Sequence, residues 1–146
     1  MLELAICLVI AITDGDTLKV RCGSEGRYEQ ITVRLAGIDA PEKKQPYGQR
    51  ARKELAALCQ GVQARIQPRS TDRWRRAVAD VQCNGTDVAQ YMVGHGWAWV
   101  FDKYAQEYKH LYPLQARARA GHYGLWGDQD SKAPPIPPWR WRRNKH

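Results

Sequence analysis

The stretch Ile31-Thr32-Val33-Arg34-Leu35-Ala36-Gly37-Ile38-Asp39-Ala40-Pro41-Glu42 decides how the chain is read. Ile31, Val33 and Leu35 alternate with Thr32, Arg34 and Ala36, the period of a half-buried strand, and this turns Arg34 away from the apolar set. Pro41 cannot extend a sheet ladder and holds Ala40 in an extended conformation. The strand is therefore expected to end near Ile38 and to deliver Asp39 and Glu42 onto a loop beside the sheet. An arginine and two carboxylates at one strand end suit a phosphate-and-metal site. Taken alone they equally suit a salt-bridged surface turn.

Composition narrows the choice. A chain of 146 residues, 43% hydrophobic and 26% charged, fits one globular domain with a core that needs no staple. The net charge of +8 is uneven: between Lys43 and Arg76 there are ten basic residues and two acids, Glu54 and Asp72. A polyanionic partner explains that imbalance most simply. Cys7, Cys22, Cys59 and Cys83 show no CxxC spacing, which argues against zinc. Their even number permits either disulfides or buried thiols, and Cys59 with Cys83 is the pair preferred, both standing at element ends. The four histidines have no ligand spacing. Leu2–Ala11 is too short to span a membrane as a helix. It reads either as a first strand or as part of an export signal, with a secreted or periplasmic location slightly favoured over a cytoplasmic one.

Outward from the opening stretch, Ile6–Ile12 is a β-branched run interrupted by Asp14-Gly15-Asp16. A bulge or bend there is preferred to a hairpin turn, because Leu18, Val20 and Cys22 resume the alternation directly. Gln49–Cys59 has strong helix formers, with Ala51, Leu55 and Leu58 at helical spacing and Gly61 as stop. Val62–Ile66 and Arg76–Cys83 read as strands, and Asn84-Gly85 is the strongest hairpin signal in the chain. A short helix is expected over Asp87–Gly94, a short strand over Gly96–Val100 and another helix over Leu111–Ala120. The predicted architecture is α+β, mainly β: a five-stranded barrel of the oligonucleotide-binding type with two or three helices. Residues 1–128 form the domain. Residues 129–146 form a tail rich in proline, tryptophan and arginine, extended and peripheral, its tryptophans either docked on the domain, the preferred reading, or free to touch a ligand.

Three segments carry candidate chemistry: Asp14-Gly15-Asp16-Thr17, Arg34 to Glu42, and Asp72-Arg73-Trp74-Arg75-Arg76. Together they resemble the staphylococcal-nuclease-like (thermonuclease) family. Its pattern is Asp-Gly-Asp-Thr, then Arg-x-x-x-x-Asp-x-Pro-Glu, then Asp-Lys/Arg-Tyr-Gly-Arg, in that order. Tyr47-Gly48, Gly124-Leu125-Trp126 and the Pro-Trp-x-Trp-Arg ending fit as well.

The resemblance implies a calcium-dependent endonuclease, hydrolysing phosphodiester bonds of DNA and RNA with little sequence specificity and leaving 3′-phosphate ends. Asp16 and Asp39 match its metal-binding carboxylates, Ala40 would lend a backbone carbonyl, and Asp14 supports the site. Arg34 and Arg76 match the phosphate-clamping arginines and Glu42 the proposed general base. Arg73, Trp74, Arg75 and Tyr104 are the expected substrate contacts. Membrane association is not expected, and a monomer is the default. The competing reading is a nucleic-acid-binding barrel of the same fold without cleavage. The departure that bears on it is Trp74-Arg75 in place of Tyr-Gly. If that backbone needs a positive φ, Arg75 carries strain of about 1 kcal/mol, or the turn is rebuilt and Arg76 misplaced.

Overall fold

A computed structural model describes residues 3–101, 106–127 and 135–144. The first strand, β1 (Ala5–Asp14), folds back on β2 (Thr17–Cys22) in an antiparallel pair whose last partners are Asp14 and Thr17. Asp14 to Thr17 is thus a hairpin turn, not the preferred bulge. The apolar pattern resumes directly after Asp16 and pointed away from a turn because the loop is so short. Yet Asp16 is buried rather than solvated, only 6% exposed.

β3 (Glu29–Leu35) pairs antiparallel with β2 and stops three residues earlier than expected. Gly37, at φ 82°, turns the chain after Leu35. This left-handed conformation is open to glycine at little cost. The next residues form a separate short strand, β4 (Ile38–Asp39), paired with β8 (Trp99–Val100). Helix α1 (Gly48–Cys59) follows, burying Ala51, Leu55 and Cys59 on one face. Then come β5 (Gln63–Thr71) and β6 (Ala77–Cys83).

β5 joins β1 to β6, and β6 runs parallel to β3, which closes the sheet into a five-stranded barrel in the order β1-β2-β3-β6-β5. Closure removes the free edges a sheet this small would otherwise expose. Asn84 and Gly85, both at positive φ, make the hairpin into β7 (Thr86–Asp87) as the sequence predicts. Asp87 caps α2 (Val88–Gly94), accepting from the Gln90 N–H at 2.9 Å. Helix α3 (Tyr112–Ala120) begins one residue later than expected.

The barrel interior is filled by Val9, Leu18, Val20, Val33, Leu35 and Val81, with Leu55 from α1 and Met92 from α2 packed across it. Each fully buried side chain of this size contributes about 1.5–3 kcal/mol. Two disulfides pin the barrel. Cys7–Cys22 crosses the first hairpin, and Cys59–Cys83 ties the end of α1 to the end of β6, the pair the sequence favoured.

The tail differs from expectation. Pro138–Asn144 is a helix, α4, rather than an extended strand. Pro138 occupies its first turn, where a missing N–H costs nothing. Its Trp139 packs on Trp99 (ring centroids 6.4 Å apart) and stacks on Phe101 (6.0 Å). The described residues thus hold four α-helices, where two or three are predicted. No helix among the described residues is long and apolar enough to cross a membrane.

Candidate active site

The first hairpin turn, the β3–β4 corner and the β5–β6 turn meet at one end of the barrel. They enclose an open groove of about 1140 Å³. Pairing Thr17 with Arg34 in the β2–β3 ladder sets the first two side by side. Asp16 is fixed at both oxygens: Oδ1 accepts from the Thr17 hydroxyl at 2.8 Å, and Oδ2 accepts from the Ala40 N–H at 2.7 Å. Buried polar groups need such partners. The second bond fastens two motifs that lie 24 residues apart.

Arg34 leaves β3 between the two aspartates. Its Nη2 lies 3.3 Å from Asp39 Oδ1 and 3.6 Å from Asp16 Oδ2, while its Nη1 donates to the Leu35 carbonyl at 2.8 Å. The Asp39 side chain is only 2% exposed. Burial pushes its carboxyl up, and the Asp16 carboxylate pushes it further, to about 6 despite Arg34 and Arg142. Asp14, at the hairpin's rim, is raised by the same two causes, burial first and then Asp16.

Glu42 stands on the loop after Pro41. Its N–H donates to Gln45 Oε1 at 3.1 Å. Gly48 opens α1 against the Glu42 carbonyl, where an added Cβ would lie 1.8 Å from that oxygen. Any side chain there would push the loop out of place, so the Tyr47-Gly48 pair helps to position Glu42.

The third segment is organised by Asp72. Its Oδ1 accepts from the Trp74 and Arg76 N–H groups, both at 2.9 Å, and its Oδ2 accepts from Arg76 Nε at 2.7 Å. Burial raises the Asp72 carboxyl, but the bonds from Arg76 and Trp74 outweigh it and hold the group below its ordinary value. Arg75 sits at φ 65°. The turn is therefore not rebuilt around it. Arg75 adopts the left-handed conformation, and Arg76 keeps its place in the groove. Trp74 is 62% exposed, with Arg73 at 4.3 Å and Arg76 at 5.2 Å from its ring centroid. This is an open stacking face flanked by cations.

Of the predicted residues, the groove lining brings together Asp14, Asp16, Arg34, Asp39, Ala40, Glu42, Arg73, Trp74 and Arg76. Arg75 is exposed and does not line it. Tyr104 lies outside the described residues. Lys43, Lys44 and Phe101 also line the groove. The lysines belong to the basic stretch that the charge count had marked.

One further lining residue comes from the tail: it closes the Pro-Trp-x-Trp-Arg ending, to which the sequence alone assigns no role in the site. Arg142, from α4, donates from Nη2 to Asp39 Oδ2 at 2.9 Å and from Nη1 to Glu42 Oε1 at 3.1 Å.

The donor chemistry suits a hard cation. The Asp16 and Asp39 carboxylates offer oxygen donors, the preference of calcium or magnesium, beside the Arg34 and Arg142 guanidinium groups. Burial first and then the Asp16 carboxylate raise Asp39, and a cation beside the pair would favour its charged form. Among the described residues no group of three or more His, Cys, Asp or Glu forms a ready-made cage. Backbone carbonyl, water and substrate oxygens would have to complete the shell, an open arrangement calcium tolerates.

A family model described as staphylococcal nuclease homologue matches residues 32–128. The chain belongs to the staphylococcal nuclease family, and it is a nuclease acting on nucleic acid. An uncharacterized endonuclease of Haemophilus influenzae is 38% identical over 139 residues, covering 95% of this chain and 74% of its own length. A micrococcal nuclease of Shigella flexneri is 34% identical over 145 residues, covering 92% and 79%. The staphylococcal-like nuclease CAN1 of Arabidopsis thaliana is 37% identical over 120 residues, 80% of this chain but 35% of its own.

Proposed function

We propose that the chain is a calcium-dependent endonuclease that hydrolyses DNA and RNA with little sequence specificity and leaves 3′-phosphate ends. The observation that supports this most is the convergence of Asp16, Arg34, Asp39, Glu42 and Arg76 on one groove from three separate segments. A protein that only bound nucleic acid would need the arginines, but not three carboxylates beside them.

In this reading Asp16 and Asp39 hold the cation, with the Ala40 carbonyl beside them and Asp14 supporting from the rim. The cation when bound supplies Lewis-acid polarisation of the phosphate. Arg34 and Arg76 grip the phosphate oxygens through paired N–H groups and are always charged. They accelerate the reaction where their bonds strengthen as charge gathers on those oxygens. Glu42 accepts a proton from water, whose oxygen bonds to phosphorus while the bond to the 5′ oxygen breaks. The departing 5′ oxygen takes up a proton, and the phosphate remains on the 3′ side. Arg73 and Trp74 contact the bases and backbone of the strand in the groove, Arg75 meets it outside the groove, and Tyr104 is a further contact. Stacking on Trp74 is indifferent to base identity, in keeping with low sequence specificity.

Residues 1–128 make up the nuclease domain in this reading, 129–146 its tail, and the enzyme acts as a monomer. The two disulfides favour an oxidising, secreted or periplasmic setting. The deciding experiment incubates the protein with single-stranded DNA and with RNA, in calcium and then in chelator, and analyses the ends. Calcium-dependent internal cleavage with 3′-phosphate products is expected. Cleavage unaffected by chelator would refute the metal assignment, and 3′-hydroxyl ends would refute the direction of attack.

A further inference from the structure

The tail reaches into the reaction centre, and nothing in the site as proposed needs it there. It is held in two places. Gln45, itself buried, accepts from the Glu42 N–H and donates through Nε2 to the Ile136 carbonyl, which joins the tail to the loop carrying Glu42. Beyond it, Trp139 packs on Trp99 and Phe101. Trp99 is the β-ladder partner of Asp39. The anchor therefore sits on the strand paired with the one whose carboxylate Arg142 reaches.

From that anchor one turn of α4 carries Arg142 over the groove. Its guanidinium bridges the Asp39 and Glu42 carboxylates. Arg34 already covers Asp39 Oδ1, so Arg142 takes the other oxygen, Oδ2. A cation bound by Asp39 would have to share that carboxylate with two guanidinium groups, one of them on each oxygen. Like charges at such distances repel, and the site is largely closed to screening water on the Asp39 side.

We propose that Arg142 is a tethered counter-ion that competes with the divalent cation for Asp39, so that docking of the C-terminal helix and loading of the metal oppose one another. The proposal rests on the calcium-binding role given above to Asp16 and Asp39. With the helix docked, Arg142 holds Asp39 and Glu42 in place and neutralises them. When the cation binds, the guanidinium leaves Oδ2, and its helix loses one of its attachments. Coupling of this kind is reciprocal: the factor by which Arg142 weakens cation binding is the factor by which the cation weakens tail docking.

The test is a direct calcium titration of the full-length protein by calorimetry, without substrate. Arg142→Gln keeps most of the side chain's length and removes the charge. It is expected to bind calcium at least about fivefold more tightly than the parent, a modest coupling between sites. Arg142→Lys should fall between, and Arg140→Ala, on the same helix but exposed, should match the parent. In the parent, hydrogen exchange of residues 138–144 should quicken on adding calcium, and in Arg142→Gln it should already be quick. Unchanged or weaker calcium binding by Arg142→Gln would overturn the competition. Asp39→Asn serves to separate the two ideas. If it binds calcium as the parent does, the metal assignment fails and the competition with it. If it loses calcium while Arg142→Gln equals the parent, only the competition fails.

Discussion

The Ala40 N–H donates to Asp16 Oδ2 at 2.7 Å. This single bond joins the turn of the first hairpin to the end of β4, so a residue assigned to the metal also holds the site's frame. The two duties separate by substitution. Asp16→Asn retains an acceptor for the Ala40 N–H and should melt close to the parent, while calcium binding and cleavage are lost. Asp16→Ala leaves that buried N–H without a partner and should cost a further 1–3 kcal/mol or so in denaturant titrations.

Asp72 places Arg76 by accepting from its N–H and from its Nε. Asp72→Ala removes both bonds along with the one from Trp74. A cleavage rate lower by about ten- to a hundredfold is expected, smaller than the loss from removing a transition-state donor outright. Asp72→Asn, which keeps an acceptor, should lose less. Rates from single-turnover assays at saturating enzyme would decide it, and an unaffected Asp72→Ala rate would show that Arg76 positions itself.

Much of this was legible in the sequence, and the exceptions have physical reasons. The Asn84-Gly85 turn and the Asp87 cap are local events governed by nearest neighbours, and they fall where the sequence puts them. The convergence of Asp16, Arg34, Asp39, Glu42 and Arg76 was visible because each belongs to a motif. The Asp14–Thr17 hairpin was only the less favoured reading, because the hydrophobic alternation resumes directly after Asp16 and Asp16 is buried in the turn. The early end of β3 was not visible. Gly37 reads as an ordinary strand residue until Ile38 and Asp39 are seen paired with Trp99 and Val100. Cys7–Cys22 depends on the β1–β2 register, which follows from that same hairpin. Arg142 was visible only as the last residue of the Pro-Trp-x-Trp-Arg ending, and its contact with Asp39 was not, because it spans 103 residues and no local pattern specifies the docking of a tail.

The pH dependence of the cation-free protein follows from Asp39. Its folded value of about 6 stands above the ordinary 3.8, so the folded state holds the proton more tightly than the unfolded chain. The resulting stabilisation is complete below the unfolded value and is lost as the pH rises through the folded one. In chelator, the melting temperature should therefore rise as the pH falls from about 7 to about 5. Asp72, held below its ordinary value, acts in the opposite sense only under stronger acid. Thermal melts across this range check the slope, and Asp39→Asn should flatten it.

Reduction of the disulfides should be felt strongly. They close loops with sequence separations of 15 and 24 residues. Loops of this size each stabilise by about 3 kcal/mol in the chain-entropy account. Urea titrations with and without reductant should show a clear loss, and replacing the cysteines of either pair by serine should show roughly half of it.

The most direct test of the reaction centre itself is a single-turnover measurement on Glu42→Gln with end-labelled single-stranded DNA in calcium. The amide keeps the side chain's size and an oxygen that can accept from Arg142, but it cannot take a proton from water. The rate should fall by about a hundredfold to ten-thousandfold, the usual range for losing a general base, while the DNA dissociation constant stays within about twofold. A Glu42→Gln enzyme that cleaves as fast as the parent would contradict the account.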